Sequence, residues 1–250
     1  MNEAIRVERL VKVFTGHAGE EVRAVSDVSF HCDRGEVFGL LGLNGAGKTT
    51  TLRMLSTVLQ PTAGTASIVG YDILREAIDV RRSIGFLSGT TGLYHRLTAE
   101  ETLRFFGEFH GLTGGELDRR VEETLARFGI DAYRTKRCEK LSTGMKQKVN
   151  IARAVVHDPP VLILDEPTSG LDVLAAQATL EFVEECRDAG KCVLFSTHIM
   201  SEVERLCDHI AIIHEGTLRA SGTLDELRGA TGEHYLEEVF RALVTRDTVA

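Results

Sequence analysis

Short apolar runs alternate with stretches of helical periodicity along most of this chain. Runs at 5–14, 25–31, 37–41, 65–69, 84–87, 161–164, 193–196 and 210–214 predict β-strands. Two of them, 161–164 and 193–196, lack the in/out alternation of a half-exposed sheet. Continuous apolarity over that length predicts burial on both faces, as in a parallel sheet covered by helices. Helical patterns over 48–59, 174–188 and 201–206 lie between the runs. Alternation of this kind predicts an α/β fold built from βαβ units. The polar, Gly-containing segment 15–21 predicts a hairpin loop between the first two strands.

The middle of the chain reads differently. Residues 98–156 carry helical patterns and almost no strand signal, which predicts a helical insertion in the α/β core. Thr98-Ala99-Glu100-Glu101 places an acid three positions after a threonine, a capping-box arrangement. Phe105, Phe106 and Phe109 recur at helical spacing and are expected in the core. A glycine-containing break at 111–115 precedes a second helix over 117–128. Near the C-terminus, Leu236, Val239, Phe240, Leu243 and Val244 form one apolar helix face. That face either docks on its own domain or meets a second subunit.

Composition narrows the class. The 250 residues are 43 % hydrophobic and 26 % charged, which is ordinary for a globular protein. A net charge of −8 argues against general affinity for nucleic acid, and none is expected as a partner. Five cysteines without C-x-x-C or metal-ligand spacing predict buried, reduced thiols. Met1-Asn2-Glu3 is acidic and no apolar run follows it, so no secretory leader is expected. The apolar runs are too short to cross a bilayer, so any action at a membrane goes through a partner.

The chemistry begins after the run at 37–41. Gly42-Leu43-Asn44-Gly45-Ala46-Gly47-Lys48-Thr49 is a complete G-x-x-x-x-G-K-[ST] loop between a predicted strand and a predicted helix. Glycines there let the backbone wrap closely around phosphate oxygens. Successive N–H groups and the start of the helix then favour the anion. The expected cradle is Gly42, Asn44, Gly45, Ala46, Gly47, Lys48, Thr49 and Thr50. Lys48 can reach the β- and γ-phosphates, and the Thr49 hydroxyl can ligate Mg²⁺. A second motif closes the strand at 161–164 with Asp165 and Glu166. In open α/β sheets that strand end faces the ligand crevice. Asp165 is expected to hold Mg²⁺ beside Thr49, and Glu166 to polarise the water that attacks the γ-phosphate.

Just upstream lies Leu141-Ser142-Thr143-Gly144-Met145-Lys146-Gln147-Lys148, which resembles the L-S-G-G-Q signature of ATP-binding cassette (ABC) ATPases. Ser142 and Gly144 are retained, while Thr143 and Met145 replace a glycine and the glutamine. A serine and a glycine N–H at a helix start make a second anion site. Further elements are similar to the same family: Ser169-Gly170-Leu171-Asp172 to its D-loop, His198 to its switch histidine, and Phe14 to the aromatic that stacks on adenine. Relatives carry a glutamine after the strand at 84–87, where Gly89 stands here; Ser88, Thr90 or water would take its place. That departure and Met145 resemble the cassettes that serve drug, polysaccharide and sodium exporters.

The resemblance implies a P-loop NTPase core with an antiparallel β subdomain and an inserted α-helical subdomain. It implies one ABC ATPase domain over 1–250, with the core and β subdomain at 1–88 and 157–222, the signature subdomain at 89–156 and a helical tail at 223–250. Implied catalytic residues are Glu166, His198 and Lys48. ATP and Mg²⁺ are the implied ligands. The implied partners are a separate membrane permease subunit and a second ATPase subunit, in a homodimer or heterodimer at the cytoplasmic face of the membrane. The competing expectation is an ABC ATPase that moves no solute and acts on nucleic acid or ribosomes.

Overall fold

The computed structural model describes residues 2–16, 19–88 and 92–245. Strands β1 (Glu3–Thr15) and β2 (Glu21–Asp33) form a long antiparallel hairpin whose last pair is Thr15 with Glu21. The predicted loop therefore lies between them, although His17 and Ala18 fall outside the described residues. Strand β3 (Val37–Leu41) leads through the glycine-rich loop into α1 (Lys48–Leu55). Next come β4 (Ala63–Ile68), the two-residue β5 (Tyr71–Asp72), α2 (Ala77–Ser83) and β6 (Ile84–Ser88). Three helices follow: α3 (Ala99–Phe109), α4 (Gly114–Phe128) and α5 (Thr143–Val155). The chain then alternates through β7 (Val161–Asp165), α6 (Val173–Asp188), β8 (Cys192–Thr197), α7 (Met200–Leu206), β9 (His209–His214) and β10 (Thr217–Gly222). It closes with α8 (Leu224–Thr231) and α9 (Leu236–Thr245).

Two sheets result. One is antiparallel, in the order β2-β1-β4-β5; the other runs β10-β9-β3-β8-β7-β6. Within the second, β9, β3, β8, β7 and β6 are parallel and only β10 is reversed. The unalternating runs have the expected cause. Val161 and Ile163 of β7 face a core shared with the antiparallel sheet and α1, while Leu162 and Leu164 face α5 and α6. β8 splits likewise, with Leu194 on one side and Phe195 on the other. Each such side chain contributes about 1.5–3 kcal/mol when fully buried, so a polar residue is accommodated there only with hydrogen-bond partners, as at the strand ends.

Several boundaries differ from the sequence reading. α1 stops at Leu55 rather than 59, because Ser56 leaves helical geometry and Thr57 takes φ +59°. The two-residue β5, and α2, β10 and α8, have no counterpart among the runs read from the sequence; β10, Thr217–Gly222, mixes polar and small residues and carries no apolar run. The capping box of α3 forms: Glu101 N–H donates to Thr98 Oγ1 at 3.1 Å, and Thr98 N–H donates to Glu101 Oε2 at 2.8 Å. The aromatic expectation needs correction. The stripe of α3 that enters the core is Ala99, Thr102, Leu103 and Gly107, joined by the partly buried Phe106. Phe105 and Phe109 sit on the neighbouring stripe, and Phe109 is 69 % exposed. The C-terminal apolar face docks on its own chain, where Leu236, Val239 and Phe240 meet Leu41, Val203, Ile210 and Ile212. All five cysteines are free thiols, four of them buried.

One half-buried pair of histidines joins the helical segment to the core. The His157 ring lies 3.6 Å from the His110 ring and parallel to it within 1°. His157 Nε2 is 3.1 Å from the Ile84 carbonyl oxygen, whereas its buried Nδ1 has no partner among the described residues. Burial first, then the neighbouring His110, pushes the His157 pKa down to about 3. Between that value and the ordinary 6.5 or so, the unfolded chain binds the extra proton and the folded one does not. Stability therefore falls as pH drops below the ordinary histidine value, by about 2 kcal/mol at pH 5 from this group. His157→Phe removes this contribution. Unfolding free energies from urea titrations at pH 7 and pH 5 are expected to differ less in the variant than in the parent by roughly that amount. Equal differences would exclude His157 as the source.

Candidate functional site

The glycine-rich loop connects β3 to α1 at the end of the parallel sheet where the strands point their C-termini. Gly47 is the cap of α1, with φ +105°. A Cβ there would stand 2.6 Å from the Ala24 carbonyl oxygen of β2, so both the angle and the close approach require glycine. The loop is pinned from outside: Gly216 N–H, in the β9–β10 turn, donates to the Ala46 carbonyl at 2.9 Å, and Ser26 N–H donates to the Gly216 carbonyl at 2.7 Å. The first N–H groups of α1, before the Thr51 N–H that donates to the Gly47 carbonyl, have no intrahelical acceptor. Asn44, Gly45, Ala46, Gly47, Lys48, Thr49 and Thr50 line a cavity of about 130 Å³ with Glu166, Ala24 and Leu43. The last two carry no motif signal. Gly42 contributes through its backbone carbonyl.

Lys48 is 4 % exposed. Its Nζ donates to the carbonyls of Gly42 at 2.7 Å and Leu43 at 3.2 Å, and stands 3.2 Å from Glu166 Oε1. The same Glu166 oxygen lies 3.3 Å from Nδ1 of His198. Glu166 follows β7 with φ +48°, an uncommon angle for a residue with a side chain. Its N–H is shared between the carbonyl and the hydroxyl of Ser196, both at 3.1 Å. Asp165 is buried, and its Oδ1 accepts from Thr49 Oγ1 at 3.1 Å and Ser196 Oγ at 2.8 Å. His198 comes just after β8 and is 40 % exposed on its side chain. Its loop is fastened to α7: Thr197 Oγ1 donates to the buried Glu202 Oε2 at 2.6 Å and accepts from Ile199 N–H at 3.0 Å.

Thr49 and Asp165 thus bring one hydroxyl and one carboxylate together beside the loop. Among the described residues, no cluster of three or more His, Cys, Asp or Glu could hold a metal alone. Mg²⁺ usually takes one or two protein oxygens and completes its shell with phosphate and water, so this donor set fits it.

The remaining sequence-predicted residues lie elsewhere. Ser142 caps α5, its Oγ accepting from Met145 N–H at 3.3 Å. Gly144, in the first turn of α5, lines a separate cavity of about 450 Å³ with Asp172, Leu174, Phe128 and Phe182. Gln147 ties that helix to the carboxylate loop by donating to the Pro167 carbonyl at 2.7 Å. Asp172 caps α6 by accepting from Ala175 N–H at 2.9 Å. Phe14 stands half-exposed near the end of β1, with Lys12 Nζ 5.2 Å from its ring centre. Ser88 is buried, while Gly89 and Thr90, where the missing glutamine would stand, lie outside the described residues. Sequence reading missed Ser196 and Glu202 as supports. Ser196 belongs to the triplet that ends in His198, but nothing local marks its hydroxyl as the neighbour of Asp165.

The comparisons with known proteins agree on one group. Residues 25–169 match the ABC transporter family profile. The chain is 42 % identical to the ABC transporter ATP-binding protein NatA of Bacillus subtilis over 226 residues, 90 % of this chain and 92 % of that one. It is 38 % identical to the doxorubicin resistance ATP-binding protein DrrA of Mycobacterium tuberculosis over 92 % of this chain and 69 % of that one. Its fold superposes on a solved ATP-binding subunit of an ABC transporter with TM-score 0.86, at 38 % identity, over 96 % of this chain and 99 % of that one. A dimeric ATP-binding cassette, solved in a post-hydrolysis state bound to ADP and Pi, gives TM-score 0.79 at 26 % identity over 88 % and 98 %.

Proposed function

The chain belongs to the ABC transporter family as an ATP-binding, ATP-hydrolysing subunit related to drug-resistance ATPases, and from that premise we propose that it powers a separate membrane permease that exports a solute. The observation that carries this reading is that the glycine-rich loop and the start of α5 line two separate cavities of one chain. The phosphate cradle is lined by the loop and Glu166, whereas Gly144 faces a different cavity. One triphosphate in the cradle has its γ-phosphate open toward solvent. A second copy of the chain, turned head to tail, brings Ser142 and Gly144 to that open side. ATP then holds the two copies together, and its cleavage removes the shared contacts, so nucleotide state sets the association.

Within the cradle the proposed roles follow from position. Lys48 and the loop amides offset the charge that develops on the γ-phosphate. Glu166 orients the attacking water and accepts its proton. His198, already beside Glu166, holds the γ-phosphate. Thr49 and Asp165 would hold Mg²⁺, which supplies further charge neutralisation when bound. Phe14 offers its ring to the adenine. Export as the direction is supported by the drug-resistance names of relatives.

No helix among the described residues is long and apolar enough to cross a membrane. The permease is a separate chain in this reading. Its contact is placed on the exposed aromatics beside the segment 89–97. There Tyr94 packs on the edge of Phe105 with ring centres 5.5 Å apart, and Phe109 and Val58 line one groove with Arg81 and Arg153. Recovery of the tagged chain from native membranes in mild detergent is expected to bring a polytopic protein in fixed ratio. Recovery alone, or with ribosomes or nucleic acid, would favour the ABC ATPase that moves no solute.

A further inference from the structure

Ser196 is fully buried at the end of β8, in register with Asp165 of β7. Paired residues on adjacent strands point to the same face about 5 Å apart, so their side chains can meet. The Ser196 hydroxyl uses both of its capacities there. It donates to Asp165 Oδ1 at 2.8 Å, and it accepts from Glu166 N–H at 3.1 Å. One hydroxyl therefore touches the carboxylate assigned to Mg²⁺ and the backbone of the residue assigned to the attacking water. Glu166 holds φ +48°, which persists only where surrounding bonds fix it. The second donor on Asp165 Oδ1 is Thr49, from the phosphate loop.

We propose that Ser196 is a positioning residue that sets the orientation of the Asp165 carboxylate and the peptide of Glu166 together. It acts through those two residues and touches no substrate. The proposal rests on the roles given to Asp165 and Glu166 above. Without the hydroxyl, Asp165 Oδ1 keeps only the Thr49 donor, and the carboxylate gains rotational freedom about its own χ2. Glu166 N–H keeps only the Ser196 carbonyl. The cost then falls on Mg²⁺ binding and on the chemical step, with little effect on the affinity of the cradle for phosphate.

The test measures the Mg²⁺ concentration that half-saturates binding of a fluorescent ATP analogue, alongside kcat and KM for ATP. Ser196→Ala is expected to raise the Mg²⁺ half-saturation at least threefold and to lower kcat about tenfold, with KM within about threefold. Ser196→Thr, which restores a hydroxyl, is expected to return the Mg²⁺ value to within twofold of the parent. A rise of less than threefold in Ser196→Ala overturns the proposal whatever kcat does. The same rise in both variants overturns it too, because it would report disturbed packing. Ser196→Cys, similar in volume and a weaker donor, carries the same reading if the alanine variant does not fold. A parent protein without Mg²⁺-dependent nucleotide binding would instead remove the roles of Asp165 and Thr49, which separates that failure from this one.

Discussion

Glu166→Gln is expected to bind ATP and to hydrolyse it about 10²–10⁴-fold more slowly than the parent. The amide keeps the size and the hydrogen-bonding oxygen of the carboxylate, but it cannot take a proton from water. The substitution also removes the negative charge that stands 3.2 Å from Lys48 Nζ and 3.3 Å from His198 Nδ1. Both groups are then free to serve the phosphate, so nucleotide affinity is expected to stay equal or rise. Blocked turnover leaves the triphosphate in place, and the head-to-tail dimer accumulates. Size-exclusion chromatography with saturating Mg-ATP should show a species of twice the mass, absent with ADP. Turnover within about threefold of the parent would take the water-orienting role away from Glu166. A persistent monomer in the inactive variant would remove the dimer on which the transport reading depends.

Lys48→Ala is expected to weaken ATP binding about 10- to 150-fold, the equivalent of one lost hydrogen bond to a charged group at ~1.5–3 kcal/mol. Among the described residues the ammonium is the only cationic side chain lining the cradle, and it is nearly fully buried. Its loss leaves the carbonyls of Gly42 and Leu43 without that donor and removes one of the two basic neighbours of Glu166 among the described residues, the other being His198. Part of any change could thus come from the fold, so Lys48→Met serves as a second variant, since it keeps the apolar stem in its channel. Titration of a fluorescent ATP analogue reads both. Unchanged affinity in the two variants would contradict the assignment of this loop to phosphate.

Much of this site was legible because its parts are local. Gly42 to Thr49 form one contiguous segment, and a strand before and a helix after it are enough to predict its backbone. Asp165 and Glu166 follow four apolar residues, which places them at a strand end. The α/β class and the helical section of 98–156 came from periodicity, which depends on near neighbours alone. Phe105 and Phe109 mark the limit of that reasoning. Helical spacing says that residues share a face, but not which face the core takes, and here the stripe through Leu103 and Phe106 won. α1 ended early for a similar reason: the pattern through Leu59 continued, yet Thr57 turned left-handed to bring the chain toward β4.

Sequence by itself determined which chemical groups this protein owns: a glycine-rich loop ending in a lysine and a threonine, an aspartate, a glutamate and a histidine at strand ends, and a serine at a second helix start. Tertiary structure alone decided which of them touch. The order β9-β3-β8-β7 sets Ser196 beside Asp165 and brings Lys48, Glu166 and His198 around one oxygen, although more than a hundred residues separate the lysine from the glutamate. Strand order is fixed by how whole faces bury against helices and the second sheet, a property of the assembled chain that no local run of residues encodes.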